Sequence, residues 1–387
     1  MRSCGVDQRH RAKPAALHIS KIWPLNAPRG RFLDRVACPL YRRVNGRSQR
    51  AQSFTGVTTG GPPVSVVVSN LNGARYLPRL LDTITAQRGV RTEIIVVDRH
   101  STDASMEILS GYPAVHVVQE PPQTGLVAGY AAGAEHASHQ LLFFCNEDLY
   151  LDEHCLCELA SRIDLRRRIA ACDPWQWTYG REQWIHGGIR FRPCLWHIYS
   201  PFPFRMFDAT VPLLDGARTA FGSAGAVMVH ASAYNQIGGW DTSFFLDYED
   251  IDLFIRAWQR GWKCVTVPSA RVFHAVGASN DQFVAAQPAS RRRYVSHRAN
   301  VVIIAFKYFS PAVAALGALN WVATVMVNLG LLRWRTARLD LVVVREVSRR
   351  LPGVVAFRRR SRSWNRAMPG ERFFLDPQLS VDGEGLS

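Results

Sequence analysis

The sequence lacks paired cysteines. Its eight cysteines in 387 residues include no CxxC spacing and no His-Cys spacing of the zinc-finger kind, which argues against structural zinc and a disulfide scaffold and leaves reduced, mostly buried thiols as the expectation. The N-terminus has no apolar run of seven or more residues leading to a small-residue cleavage site, so no secretory signal is expected and the chain is expected to face the cytosol. Acids are scarce at both ends. Residues 1–63 carry 12 Lys or Arg against two Asp, residues 291–366 carry 16 against two acids, and residues 64–290 carry 18 basic and 23 acidic side chains. Basic flanks around a mildly acidic centre suit an anionic membrane surface better than a nucleic-acid groove, because nucleic-acid domains place the basic face on the folded domain itself. No nucleic-acid partner is expected, and composition gives no oligomeric state.

The length allows one large α/β domain or two medium ones. The first 60 residues mix Arg, Pro, Gly and Ser without periodicity and read as a poorly ordered basic arm, or as an arm lengthened by a start codon placed too far upstream. From Val64 the character changes. Val64–Val68 is a β-branched run typical of a buried parallel strand. Leu77, Leu80, Leu81 and Ile84 then fall at i, i+3, i+4, i+7, which predicts a helix ending at Gln87-Arg88-Gly89. Further strands are expected at Glu93–Asp98, Val115–Val118, Leu141–Phe144 and Lys263–Val267. Helices are expected through Ile108 and Leu109, after Gly125, and from Glu249 through Trp258. Alternating strands and amphipathic helices imply right-handed βαβ units and a doubly wound, mostly parallel sheet. Ligands bind at the carboxyl ends of such strands, which singles out Asn70, Asn72, Asp98 and Asn146-Glu147-Asp148.

The order of these features resembles glycosyltransferase family 2, the inverting enzymes of GT-A fold, and within it a bacterial rhamnosyltransferase-like branch; the resemblance runs from about Val64 to His274. It implies a Rossmann-like nucleotide half in which Ser69, Asn70, Asn72, Asp98, Gly125, Asn146 and Glu147 hold a nucleotide-sugar, with Val96-Val97-Asp98 on the nucleoside. Asn146-Glu147-Asp148 stands at the position of the family's DXD motif, so Asp148 is expected to ligate a divalent cation, Mg²⁺ or Mn²⁺, that neutralises the departing diphosphate. Val272-Phe273-His274 matches the family's metal-binding His. The segment Gly238-Gly239-Trp240-Asp241 through Glu249-Asp250 closely resembles the acceptor motif, which assigns Gly239, Trp240 and Asp241 to the acceptor, Asp250 to the general base and Glu249 to orienting acceptor or base. Asp252 is expected to support the loop from the helix face. Arg99-His100, bulkier than the family's residues there, and Tyr130, where Asn is common, are departures. The aromatics between 173 and 222, among them Trp175, Trp177, Trp184 and Trp196, read equally as an acceptor wall or as core.

Residues 308–332 carry no charge, long enough to cross a bilayer. Arginines on both sides would pull both ends to one face, favouring an interfacial or re-entrant helical pair over a single span, with an ordinary buried helix as the third reading. The expected organisation is thus a basic arm (1–62), a GT-A domain (63–290) and a basic, membrane-associated helical region (291–387). The expected activity is transfer of a sugar, rhamnose from dTDP-rhamnose first and a UDP-hexose second, to a cell-envelope or lipid-linked glycan. It is expected to occur at the cytoplasmic face of the inner membrane, with the chain peripheral or monotopic or held by a single span. A processive synthase is disfavoured by the missing Gln-x-x-Arg-Trp motif. An inactive membrane-bound scaffold is the rival of a different class.

Overall fold

A computed structural model describes residues 61–122, 124–193, 204–208, 213–275, 287–331 and 334–379; the basic arm, Trp196 and residues 276–286 lie outside them. The described residues belong to one compact unit. Its first half is β1 (Pro63–Asn70), α1 (Leu77–Thr85), β2 (Arg91–Asp98), α2 (Ser105–Ser110), β3 (Val115–Gln119), α3 (Leu126–Glu135) and β4 (Leu141–Asn146). There follow β5 (Leu149–Leu151), α4 (Cys155–Arg162), β6 (Ile169–Thr178), β7 (Trp184–His186), β8 (Ile189–Pro193), β9 (Phe204–Asp208), β10 (Arg218–Thr219) and β11 (Ala226–His230). The remainder is α5 (Ala231–Ile237), α6 (Glu249–Gln259), β12 (Lys263–His274), α7 (Gln287–Tyr308), α8 (Pro311–Gly330), α9 (Trp334–Arg360) and α10 (Arg362–Ala367).

The main sheet runs β10-β12-β6-β11-β4-β1-β2-β3. Pairings β3-β2-β1-β4 and β6-β12 are parallel, whereas β11 enters antiparallel between β4 and β6. The result is a mixed α/β fold with a mostly parallel sheet. Alternation along β1 sends Val64, Val66 and Val68 into one core with Leu77, Leu80, Leu81 and Ile84 of α1, and Val67 into the other with Val127 and Tyr130 of α3. Both faces are covered, so β1 reads as one apolar run. In α3, a Cβ on Gly129 would stand 2.4 Å from Ser69 Oγ and 3.2 Å from Arg99 Cδ; the glycine lets the helix lie against the end of β1.

Two expectations change. The strand expected to end at Val267 continues to His274 after a register shift between Val267 and Arg271, because the irregularity at Pro268 interrupts the apolar alternation without ending the pairing. The uncharged segment 308–332 is not a pair of helices: Pro311 opens a single helix, α8, and Tyr308 ends the preceding α7. No helix among the described residues is long and apolar enough to cross a membrane. Large apolar side chains nevertheless stand in solvent on α8 and α9, including Leu319 (65% exposed), Met326 (62%) and Leu341 (65%).

Helices α7 and α9 pack on the rest of the unit through Ile303, Ile304, Phe309, Val343 and Val347, in one cluster with Phe254 and Trp258 of α6. A polar lock accompanies this packing. Buried Lys307 reaches Asp241 at 2.6 Å and Asp252 at 2.5 Å, while Asp252 also takes Arg256 Nη2 at 2.6 Å and the Tyr308 hydroxyl at 2.5 Å. Asp252 thus ties α6 to α7, in keeping with its expected supporting role. Removing one member of such a network strands its partners as buried charges. Lys307→Met is expected to lower the free energy of unfolding by about 3–5 kcal/mol; urea denaturation checks it.

Candidate active site

The carboxyl ends of β1, β2 and β4 bring together Asn70, Asp98 and Asn146 as the topology requires. Asp98 is 2% exposed. Its Oδ1 accepts from Asn70 Nδ2 at 2.8 Å and from Ser101 Oγ at 2.5 Å, and its Oδ2 from the Ser101 amide at 2.9 Å. Asn72, at φ 55°, closes the same loop by accepting the Thr102 amide at 2.8 Å. Ser69 lies under α3, its hydroxyl 3.3 Å from the Leu126 carbonyl, and Gly125 caps that helix against Phe245. The turn after β1 needs Gly73, where a Cβ would stand 2.2 Å from Asn70 Oδ1 and 2.8 Å from Glu147 Cγ.

Asn146, Glu147 and Asp148 form the turn between β4 and β5. The Tyr130 hydroxyl lies 2.7 Å from Asn146 Oδ1 and 2.8 Å from the Ala224 carbonyl. Tyr130 therefore occupies the departure from the family pattern as a structural brace of this turn. Asp148 Oδ1 is 3.0 Å from His274 Nε2, and His274 Nδ1 is 3.2 Å from Gln176 Oε1. Both neighbours are acceptors, so without a cation Nδ1 donates to the Gln176 oxygen and Nε2 to the Asp148 carboxylate; a metal bound between Asp148 and His274 would take the place of the Nε2 proton while Gln176 keeps the proton on Nδ1. Hard oxygen and imidazole side by side suit a divalent cation whose other ligands come from diphosphate and water. Among the described residues no three metal-ligating side chains cluster.

Glu147 is buried; burial and then the Asp148 charge push its carboxyl up to about 7, against the pull of Arg99 and His274. Arg99, the bulky departure from the family pattern, is itself buried beside Asp98 and Glu147, and burial lowers its pKa. It is an interior cation of the site that the pattern gave no reason to choose.

Glu249 and Asp250 open α6, where acids favour a helix start. The two preceding residues, Asp247 (φ 68°) and Tyr248 (φ 67°), both hold left-handed backbone, an uncommon conformation for such residues that clusters at functional sites. The α7 helix clamps it: Asn300 Nδ2 donates to the Leu246 carbonyl at 2.9 Å and the Asp247 carbonyl at 2.6 Å, and Arg293 and His297 face the Asp247 carboxylate. Burial pushes Asp250 up to about 7, while the Ile251 and Ala224 amides and His186 act the other way. Burial and the charges of Asp250 and Asp247 push Glu249 well above the carboxylate range. His186 belongs to a pair the sequence did not disclose, its Nε2 2.8 Å from Asp173 Oδ2, both buried. Asp173 also takes the Ser223 amide at 3.2 Å.

The three residues assigned to the acceptor are engaged otherwise. Trp240 is buried against Tyr130 and Phe144, Asp241 is bound to Lys307, and the Gly239 carbonyl accepts from Arg256. Of the aromatic segment, Trp175 and Trp184 meet edge-on at 6.1 Å.

Residues 65–238 match the model of glycosyl transferase family 2. The chain carries a family 2 glycosyltransferase domain. The match stops short of Glu249, Asp250 and His274, which complete the same sheet edge from outside it. An N-acetylgalactosaminyltransferase 6 of Drosophila melanogaster is 24% identical over 257 residues, 61% of this chain and 37% of that protein. An N-acetylglucosaminyl-diphospho-decaprenol L-rhamnosyltransferase of Mycobacterium tuberculosis is 32% identical over 125 residues, 31% of this chain and 39% of that protein. The chain thus spans under two fifths of either relative. The crystal structure of GalNAc-T7 with UDP, GalNAc and Mn²⁺ aligns at 17% identity and a TM-score of 0.49, covering 65% of this chain and 49% of that one.

Because Gly73 admits no side chain between Asn70 and Glu147, Gly73→Ala is expected to displace both side chains, lowering the melting temperature and weakening nucleoside diphosphate binding by about tenfold or more, some 1.4 kcal/mol; thermal denaturation and calorimetric titration of the folded variant with UDP and dTDP check it.

Proposed function

We propose that the chain is an inverting glycosyltransferase that moves a sugar from a nucleotide diphospho-sugar to a hydroxyl of a lipid-linked or cell-envelope glycan, with Asp250 as general base. The observation that carries this reading is the placement of Asp250: a half-buried carboxylate, pushed up to about 7 by desolvation, that follows a strained loop beside the nucleotide end of a family 2 sheet. A base with that pKa is ionised enough at neutral pH to act and basic enough to take an acceptor proton in the transition state. Ser69, Asn70, Asn72, Asp98, Gly125, Asn146 and Glu147 would bind the donor; Asp98, already fixed by three donors, presents a rigid edge to a nucleoside. Asp148 and His274 would hold Mg²⁺ or Mn²⁺, which supplies positive charge to the leaving diphosphate. Glu249, whose burial favours the protonated form, would orient the acceptor or the base. Gly239, Trp240 and Asp241 shape the acceptor loop from behind.

Rhamnose from dTDP-rhamnose is the first donor reading, favoured by the mycobacterial relative. A UDP-hexose or its N-acetyl form is the second, favoured by the N-acetylgalactosaminyltransferase relative. The proposed division is a catalytic domain at 63–290 followed by a basic helical region, which with the exposed apolar side chains of α8 and α9 suits a peripheral position on the cytoplasmic face of an anionic membrane.

The test is donor turnover with a panel of dTDP-, UDP- and GDP-sugars, lipid-linked acceptors and Mn²⁺ or Mg²⁺. Asp250→Asn is expected to lower transfer by about 10²–10⁴-fold while donor binding persists; unchanged transfer by this variant would remove Asp250 from the role. The pH profile has a defined sign. The base must be ionised, and its folded pKa is raised to about 7, so the rate is expected to fall as pH drops through about 7 and to level off above it. A rate flat down to pH 5 contradicts this assignment.

A further inference from the structure

The turn between β10 and β11 is built of small residues, Gly222-Ser223-Ala224-Gly225, and the last three bond three different parts of the site. The Ser223 amide donates to Asp173 Oδ1 at 3.2 Å. The Ala224 amide donates to the Asp250 carboxylate, and the Ala224 carbonyl accepts from the Tyr130 hydroxyl at 2.8 Å. The Gly225 carbonyl accepts from the Asn146 amide at 3.0 Å. Ser223 also closes the turn on itself, its hydroxyl accepting from the Gly225 amide at 3.3 Å and its carbonyl from the Ala226 amide at 2.9 Å. Only the φ and ψ of Ser223 separate its amide from that of Ala224, and the closed turn fixes both. Where Asp173 holds Ser223 therefore decides where the next amide meets Asp250.

Asp173 is itself buried, and its other oxygen, Oδ2, lies 2.8 Å from His186 Nε2. An ionised carboxylate only accepts, so Nε2 carries a proton, and an anion at this distance favours the imidazolium. Burying such a pair is costly, and the mechanism above gives it no task. The titratable groups acting on Asp250 are Asp247, Tyr248 and Glu249 of its own segment and His186 of β7, with Arg293 and His297 of α7 bound to Asp247. Asp173 and His186 thus reach one carboxylate by two routes, an amide passed through Ser223 and a positive charge on the ring.

We propose that Asp173 and His186 are positioning residues for the base: Asp173 fixes the turn whose next amide holds Asp250, and His186, held by Asp173, sets a positive charge near it. The inference rests on the reading of Asp250 as general base. The pair acts through Asp250, so its removal changes the pH at which the base works rather than the affinity for donor. Losing a positive charge disfavours the ionised carboxylate, so the rate against pH moves to higher pH.

The test uses the full chain with Mg²⁺, a lipid-linked acceptor and whichever of dTDP-rhamnose, UDP-N-acetylgalactosamine and GDP-mannose the wild type turns over fastest. In His186→Gln an amide still donates to Asp173 while the charge is gone. Its rate is expected to be about fivefold lower at pH 7 and to recover above about pH 9, a midpoint moved up by about one unit, with nucleotide affinity unchanged. The same coupling is read without turnover and without altering His186. NMR titration of the His186 ring is expected to show its midpoint falling in Asp250→Asn by as much as the base's midpoint rises in His186→Gln, because the interaction is mutual. The proposal is overturned, with the base intact, if Asp250→Asn abolishes transfer but folded His186→Gln loses rate equally at every pH or not at all, or if the His186 ring is indifferent to Asp250→Asn. Unchanged transfer by Asp250→Asn, or no turnover of any donor by the wild type, removes the reading beneath it and the proposal together.

Discussion

Carboxylates crowded and buried at the edge of one sheet are the constraint on which the rest of this structure depends. Glu147 and Asp250 are both pushed up to about 7 and Glu249 is raised well above the carboxylate range, with burial the leading cause each time. Desolvated like charges oppose one another unless cations enter or protons stay bound. The protein provides some relief from within: Arg99 beside Glu147, His274 beside Asp148, His186 near Asp250 and Arg293 beside Asp247. This relief is partial, as the raised pKa values record. A nucleotide diphosphate bound with a divalent cation would complete it, and raised carboxyls of this kind are what the proposed acid–base role of this edge calls for.

The C-terminal helices do more than flank this edge. Asp247 and Tyr248 hold left-handed backbone just ahead of the two acids, and such strain persists only where surrounding structure over-determines it. Asn300, Ser296 and Lys307 of α7 supply that hold, with Arg350 of α9 fixing Asn300 from behind. The basic helical region, proposed to meet a membrane, is in this structure the frame that holds the loop ahead of Glu249 and Asp250. The two roles are compatible, since α8 and the outer face of α9 keep their large apolar side chains in solvent while α7 turns its own inward.

How much of this the sequence disclosed depended on whether the signal was local. The apolar run of β1, the i, i+3, i+4, i+7 spacing of α1 and the acids after β2 and β4 are local, and each element lies where its pattern put it. The continuation of β12 to His274 escaped because a register shift at Pro268 broke the alternation. His186 and Asp173 escaped because each is an ordinary residue whose meaning lies in a partner on a neighbouring strand. Arg99 looked like a defect in a motif; only the fold places its charge against Glu147. The uncharged segment 308–332 was legible as helical, but the anchoring of the helices on either side of it was not, because Lys307 and Arg350 find their partners Asp241 and Ser243 far back along the chain.

The most direct test of the crowded-carboxylate edge is the proton count on ligand binding. Titrating UDP or dTDP with Mn²⁺ at pH 7 in buffers of different ionisation enthalpy reads the protons released. Because burial pushes the Glu147 and Asp250 carboxyls up to about 7, a cation delivered to this edge should expel a measurable fraction of a proton at pH 7, in line with linkage, and nucleotide alone should expel none. Binding that is equally tight without the metal and releases no proton would contradict it.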